Sequence, residues 1–158
     1  MKPAHILQIP NDLQAKLGDT PLDGALLQKM EDALQTLSGE FPLWLADEVT
    51  RLQRAVRAAR QTPGSDSRRT LLKSCGDLKG MGTTCGYPLI SRVASSACAL
   101  LREESNLAEA MPLLEAHVAA ITVLLDCQIR CESHEEGRLL ASELECQTRL
   151  FSEQQLTL

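Results

Sequence analysis

The residues best placed to do chemistry fall in one short stretch, Cys75–Gly86 (CGDLKGMGTTCG), which sets a single cation, Lys79, among four glycines in twelve residues. Glycine inside a helix costs about 1 kcal/mol relative to alanine, so a helical reading needs something to offset the penalty. Projected at about 100° per residue, Leu71, Cys75, Leu78, Gly82 and Cys85 share one side, an apolar stripe suited to a core. Arg69, Leu72, Gly76, Lys79, Gly80 and Thr83 share another, made of one exposed leucine, bare glycines and flanking cations. Such a face lets a second protein approach the backbone closely, and lets an anion sit beside Lys79. The competing use of Gly76 and Gly80 is to relieve crowding against a neighbouring helix.

Other reactive residues are spread more thinly. Six cysteines (Cys75, Cys85, Cys98, Cys127, Cys131, Cys146) fall mostly at positions that read as helix interior. Free cysteine there behaves as a small buried hydrophobe, which points to a reducing, cytoplasmic setting rather than a disulfide framework. Cys127, Cys131 and His134, at i, i+4 and i+7, fall on one helical face. Structural zinc takes four ligands and no fourth accompanies them, so neither a metal nor a cofactor is expected. His5, His117 and His134 read as surface or boundary polar residues, and Glu132, Glu135 and Glu136 as a solvated face. Arg68 and Arg69 serve solubility or steer acidic partners toward the glycine-bearing helix. No phosphate-binding loop, dinucleotide fingerprint or triad-like spacing occurs.

The elements that must position these residues are helices. The chain has 158 residues, 44% hydrophobic but only 3% aromatic, a composition that favours aliphatic helix seams over a β-sandwich. A net charge of −5 gives no basic footprint for nucleic acid. No apolar run reaches the roughly 18 residues of a membrane span, and Met1–Gln8 does not read as a signal peptide. A short helix is expected after Asn11. A second starts at Thr20, Pro21 and Asp23 and ends at Gly39. A third opens at Pro42, with Leu45, Val49, Leu52, Val56 and Ala59 as its seam. Thr62–Ser67 reads as a loop with a cap at Asp66 or Ser67, and the glycine-bearing helix spans about 68–85. The next helix opens at Pro88 with a seam of Ile90, Val93, Ala97 and Leu100. Ser105 or Asn106 caps another, whose seam is Leu107, Met111, Leu114, Val118, Ile121 and Leu125; Pro112 leaves its start open. A last amphipathic stretch, about 135–154, continues that helix or folds back after Gly137. The expected fold is all-α, an antiparallel up-and-down four-helix bundle over 42–131. An N-terminal helical addition (1–41) and a C-terminal helical extension packing on the bundle (132–158) complete a single compact domain.

Gly76-Asp77-Leu78-Lys79-Gly80, with Gly86 ten residues after Gly76, resembles the signature of the histidine-containing phosphotransfer (HPt) domains. These are the four-helix-bundle relays of two-component signalling, with a His-x-Leu-Lys-Gly motif and a glycine ten residues after the histidine. Leu78, Lys79, Gly80 and Gly86 match, and Ile90, Val93 and Ala97 continue at the family's spacing. The helix order from Pro42 to about Cys131 also fits, so the resemblance covers roughly 90 residues, of which the eleven-residue core is specific.

One position departs from the family: the phosphoryl-accepting histidine falls at 76, where this chain has glycine. Cys75 and Asp77 do not replace it, because one residue turns a helical side chain by about 100°. The resemblance implies that Lys79 would neutralise a phosphoryl group and that Gly80 makes room for a docking receiver domain. The expected role is therefore a non-enzymatic, non-phosphorylatable HPt-like module. It would bind a response-regulator receiver domain or a histidine kinase through Arg69, Leu72, Gly76, Lys79, Gly80 and Thr83, as adaptor or competitor. Neither nucleic acid nor membrane is expected as a partner. An alternative from another class is a structural or oligomeric bundle in which Gly76, Gly80 and Gly82 serve close helix packing, including in a homodimer. Whether Gly76 and Gly80 are covered separates the two. A third reading is a phosphotransferase with an unconventional acceptor.

Overall fold

The computed structural model of the chain describes residues 24–102 and 106–155, without the side chains at positions 37 and 38. These residues form five α-helices and no strand: α1 (Gly24–Gln61), α2 (Ser65–Thr84), α3 (Pro88–Arg102), α4 (Leu107–Asp126) and α5 (Glu135–Gln155). The all-α expectation thus holds for them. The short helix after Asn11, the helix start at Thr20–Asp23 and His5 lie outside the described residues.

The helix expected to end at Gly39 does not end there. α1 runs unbroken through Gly39 and Pro42. The penalties, about 1 kcal/mol for glycine and about 3 for proline, are local. A turn requires several residues to leave helical dihedrals, and Glu40 and Phe41 between them are not turn formers.

The chain divides into two units, Met1–Leu37 and Ser38–Leu158. In the first, described from Gly24, helical Leu26, Leu27, Met30 and Leu34 are exposed. In the second, the helix seams meet in one core. Leu45, Val49, Leu52, Val56 and Ala59 are all buried, and α1 follows α4 through Gln53 Nε2–Thr122 Oγ1 (3.0 Å) and Arg60–Glu115 (3.4 Å). α3 is the central element. Packed by α2, α4 and α5, it buries nine residues, Leu89, Ile90, Val93, Ala94, Ser96, Ala97, Cys98, Leu100 and Leu101. α4 is long and apolar enough to cross a membrane by length and composition, and half of it is buried; a helix apolar nearly all round is what a bundle core contains.

Helix ends explain the connections. α2 begins at Ser65, earlier than the expected cap, with Gly64 as N-cap and no side-chain cap bond. Asp66 is spent in the first turn on Arg69, and Ser67 Oγ donates to the Thr62 carbonyl. The end of α2 is a Schellman motif: Tyr87 N–H reaches the Gly82 carbonyl (2.7 Å), Gly86 N–H reaches Thr83 (3.0 Å), and Gly86 has φ 81°. Asn106 caps α4 through its side chain onto Ala108 N–H (3.1 Å), and α4 starts at Leu107, with Pro112 inside it. The same Schellman pattern closes α4. Ile129 N–H reaches Leu124 and Gln128 N–H reaches Leu125, with Gln128 at φ 52°. The chain therefore folds back before Gly137, and α5 is a separate helix against α3 and α4. Cys127, Cys131 and His134 lie in this connection, so the helical face expected for them does not form. No cluster of metal-binding geometry occurs among the described residues.

Candidate docking face

α2 is held from behind. Leu71, Ser74, Cys75, Leu78 and Gly82 are buried, and at Gly82 a Cβ would meet Ser91 Oγ at 2.6 Å, Ser91 N at 2.7 Å and the Tyr87 carbonyl at 3.0 Å. That close approach, with the Schellman turn, sets α2 tightly on the first turn of α3. Ser91 Oγ completes the join by accepting from Thr83 N–H (2.8 Å) and Thr83 Oγ1 (3.0 Å). Arg68 Nη1 donates to the Leu101 carbonyl near the end of α3 (3.0 Å).

The opposite side of α2 collects the six expected residues within an arc of about 100°. Arg69, Gly76, Lys79, Gly80 and Thr83 are exposed. Leu72 departs from expectation, because it is half-buried and packs against the core edge. A Cβ at Gly76 or at Gly80 would meet nothing within 4 Å. Neither glycine is needed for packing among the described residues. Lys79 makes no ion pair among the described residues, whereas Arg69 is paired with Asp66 at 2.9 Å. Thr83 faces solvent but its hydroxyl is engaged by Ser91, so it braces the face.

Electrostatically, α2 carries Arg68, Arg69, Lys73 and Lys79 against Asp66 and Asp77, a net positive helix on a chain of net charge −5. Beside it, a cleft of ≈500 Å³ between the starts of α2 and α4 is lined by Pro63, Arg68, Arg69, Leu72 and Leu107, among others. Sequence periodicity did not reveal this cleft, since it depends on how the two helix starts meet.

The alternative acceptors are poorly placed. Cys75 is fully buried, and Asp77 is exposed but about 100° round the helix from Gly76. Behind the face, Cys75 and Cys98 are neighbours across α2 and α3. The Cys98 thiol is held below its ordinary value by its bond with Cys75 and by the charges of Arg102 and Lys79, with burial opposing. Cys75 is pushed up by Cys98 and by burial. Both are sealed from solvent, so this chemistry is not presented to a partner.

The residue that sequence reasoning placed wrongly is His117. Expected at a boundary, it is 0% exposed. Its Nδ1 bonds the Leu113 carbonyl (2.7 Å) and its Nε2 meets Ser96 Oγ (2.9 Å) and Thr148 Oγ1 (3.4 Å). The available signal was the coincidence of one polar residue beside the seam on each of α3, α4 and α5. His134, in contrast, sits at the start of α5 and accepts from Gly137 N–H (3.3 Å), a capping role.

No family model, no curated protein and no solved structure gives a match to this chain.

Proposed function

We propose that the outer face of α2 is a docking surface for a receiver domain or a histidine kinase, and that the protein is a non-phosphorylatable, HPt-like adaptor or competitor of a two-component system. The observation that carries this reading is the open space over Gly76 and Gly80. Two helical glycines cost about 2 kcal/mol together, and nothing among the described residues requires them. A partner backbone or side chain that comes close to α2 does. The net positive charge of α2 suits a receiver, whose phosphorylation site is ringed by aspartates, and disfavours a second copy of the same face, since two such helices repel.

Without an imidazole at position 76, docking does not lead to phosphoryl transfer. The protein occupies the surface that a true relay would use. The test is binding of purified receiver and kinase domains from the same organism. At least one is expected to bind, and Lys79→Glu to weaken it tenfold or more. Gly76→His, whose side chain has space, should accept phosphate from a labelled phospho-receiver while the wild type does not. If no receiver or kinase binds, and Lys79→Glu leaves the protein's biology unchanged, the proposal fails.

A further inference from the structure

α5 is held by a short apolar seam, to which Phe151 adds from a half-buried position, and by a set of polar contacts. Its buried residues are Gly137, Ala141, Leu144 and Thr148, only two of them apolar side chains of any size, against nine buried residues in α3. Arg92 grips Glu145 with two 2.7 Å bonds and reaches Ser142 Oγ at 3.0 Å. Ser96 Oγ and Thr148 Oγ1 are 3.0 Å apart, and Gln155 reaches Glu109 at 3.2 Å.

At the centre of these ties is His117 Nε2, an acceptor shared by a hydroxyl from α3 and one from α5. Its Nδ1 proton is committed to the Leu113 carbonyl. The neutral cluster is therefore complete: one hydroxyl donates to Nε2 and the other donates to the first. A proton added to His117 can only go to Nε2, and it turns the shared acceptor into a donor.

The surroundings do not welcome the resulting cation. Ser96 and Thr148 are uncharged. The charged groups on the adjoining turns are Arg92 from α3 and Glu145 and Arg149 from α5, which line one cleft with Ser96 and Thr148; the carboxylate is already held by Arg92. α1 brings Arg57 and Arg60 to the Glu115 side of α4, about 160° round that helix from His117. Burial accordingly holds the imidazole below its ordinary value of 6.5, with the Leu113 hydrogen bond opposing. A folded-state value lowered in this way gives stability that is full above about 6.5 and is lost as pH falls through the folded value.

We propose that α5 is a proton-released strap: protonation of His117 detaches α5 from α3 and α4 while the remaining helices stay packed. Detachment hydrates the imidazolium and uncovers the apolar side chains on which Gly137 sits, Leu89, Leu124 and Ile129. The rest of the bundle keeps its own large apolar seams, so the weakly anchored helix is the one that yields.

The test is hydrogen exchange by mass spectrometry on the full chain from pH 7.5 to 5, expressed as protection factors so that intrinsic rates cancel. Peptides of α5 should lose at least tenfold in protection across this range while those of α2 and α3 keep theirs. His117→Gln should remove that dependence. Glu145→Gln, at a partly exposed position, should lower α5 protection at every pH without moving the midpoint. Simultaneous loss of protection in all helices, pH-independent exchange of α5, or a dependence that survives in a folded His117→Gln protein each overturns the proposal.

Discussion

Alanine at Gly76, Gly80 and Gly82 should divide the three helical glycines of α2 into two kinds. At Gly76 and Gly80 the added methyl meets nothing within 4 Å, so the full helix-propensity gain of about 1 kcal/mol per site is realised. The two sites are one helical turn apart, so the double variant should gain about 2 kcal/mol, altered by whatever coupling a double-mutant cycle reads between neighbouring methyls. In a domain of this size that is a rise in Tm of about 4–8 °C, and, for a urea m-value of about 2 kcal/mol/M, a rise in midpoint of about 1 M. At Gly82 the same methyl lies 2.6 Å from Ser91 Oγ and 2.7 and 3.0 Å from two backbone atoms, Ser91 N and Tyr87 O. Backbone cannot rotate away, and the Tyr87 carbonyl is tied to Ile90 N–H at 3.0 Å. Overpacking costs about 1–3 kcal/mol, and displacing Ser91 Oγ from Thr83 costs about 1 more. After the propensity gain, Gly82→Ala should destabilise by about 1–3 kcal/mol. Urea titration followed by far-UV circular dichroism reads all three, with unchanged m-values. Destabilisation by Gly76→Ala or Gly80→Ala would refute the reasoning, because it would mean that the face is covered. On the docking proposal, the two stabilising alanines should also weaken partner binding, the exchange of stability for function expected at an interaction site.

Further outcomes follow from other sites. Gln128 holds the left-handed position of the α4 Schellman turn at φ 52°, so Gln128→Gly should stabilise by about 1 kcal/mol by thermal melting. Glu48 is buried, its Oε2 on Arg51 at 2.9 Å and its Oε1 without a hydrogen-bond partner among the described residues; Glu48→Leu should raise the urea midpoint, by about 1–2 kcal/mol of stability. Cys131 is exposed, and its thiol is held below the ordinary value by Ser133, first through its hydroxyl (2.8 Å) and then through its backbone N–H. Timed iodoacetamide labelling with peptide mapping should modify Cys131 well ahead of Cys75 and Cys98, which react only after denaturant is added; early labelling of Cys98 would contradict the sealed packing of α2 on α3.

The helix seams were readable because each is a periodic signal carried within one segment. Leu45 to Ala59, Leu71 to Cys85 and Ile90 to Leu100 are buried as the 3.6-residue period requires. The faces of α2 followed from the same arithmetic. What escaped was either a balance of local costs or a tertiary coincidence. Gly39 and Pro42 look like punctuation, but their penalties did not break α1. The residues after α4 looked like continued helix until the Gln128 turn, where a non-glycine residue takes the left-handed position. His117 looked like a surface or boundary residue because it is polar, whereas its partners are 21 and 31 positions away in sequence. Leu72 sits at the edge of two faces, and only the packed neighbours decide how much of it is covered.

The four glycines of CGDLKGMGTTCG therefore answer to different causes. Gly86 supplies the positive φ that ends α2, and Gly82 supplies the clearance that brings α2 onto Ser91 and Tyr87. Gly82 answers to the close approach of Ser91 and Tyr87, and Gly86 takes with least strain the left-handed position that Gln128 holds at the end of α4. Gly76 and Gly80 satisfy no such demand: their φ is helical and no described residue comes within 4 Å of a Cβ placed there. A helix built for stability alone would carry alanine there. With no internal reason among the described residues, the docking proposal assigns the remaining cost to something that meets α2 from outside. Lys79, which makes no ion pair among the described residues, lies between these two glycines in sequence and in the same arc, so on the docking proposal the partner is expected to bring negative charge.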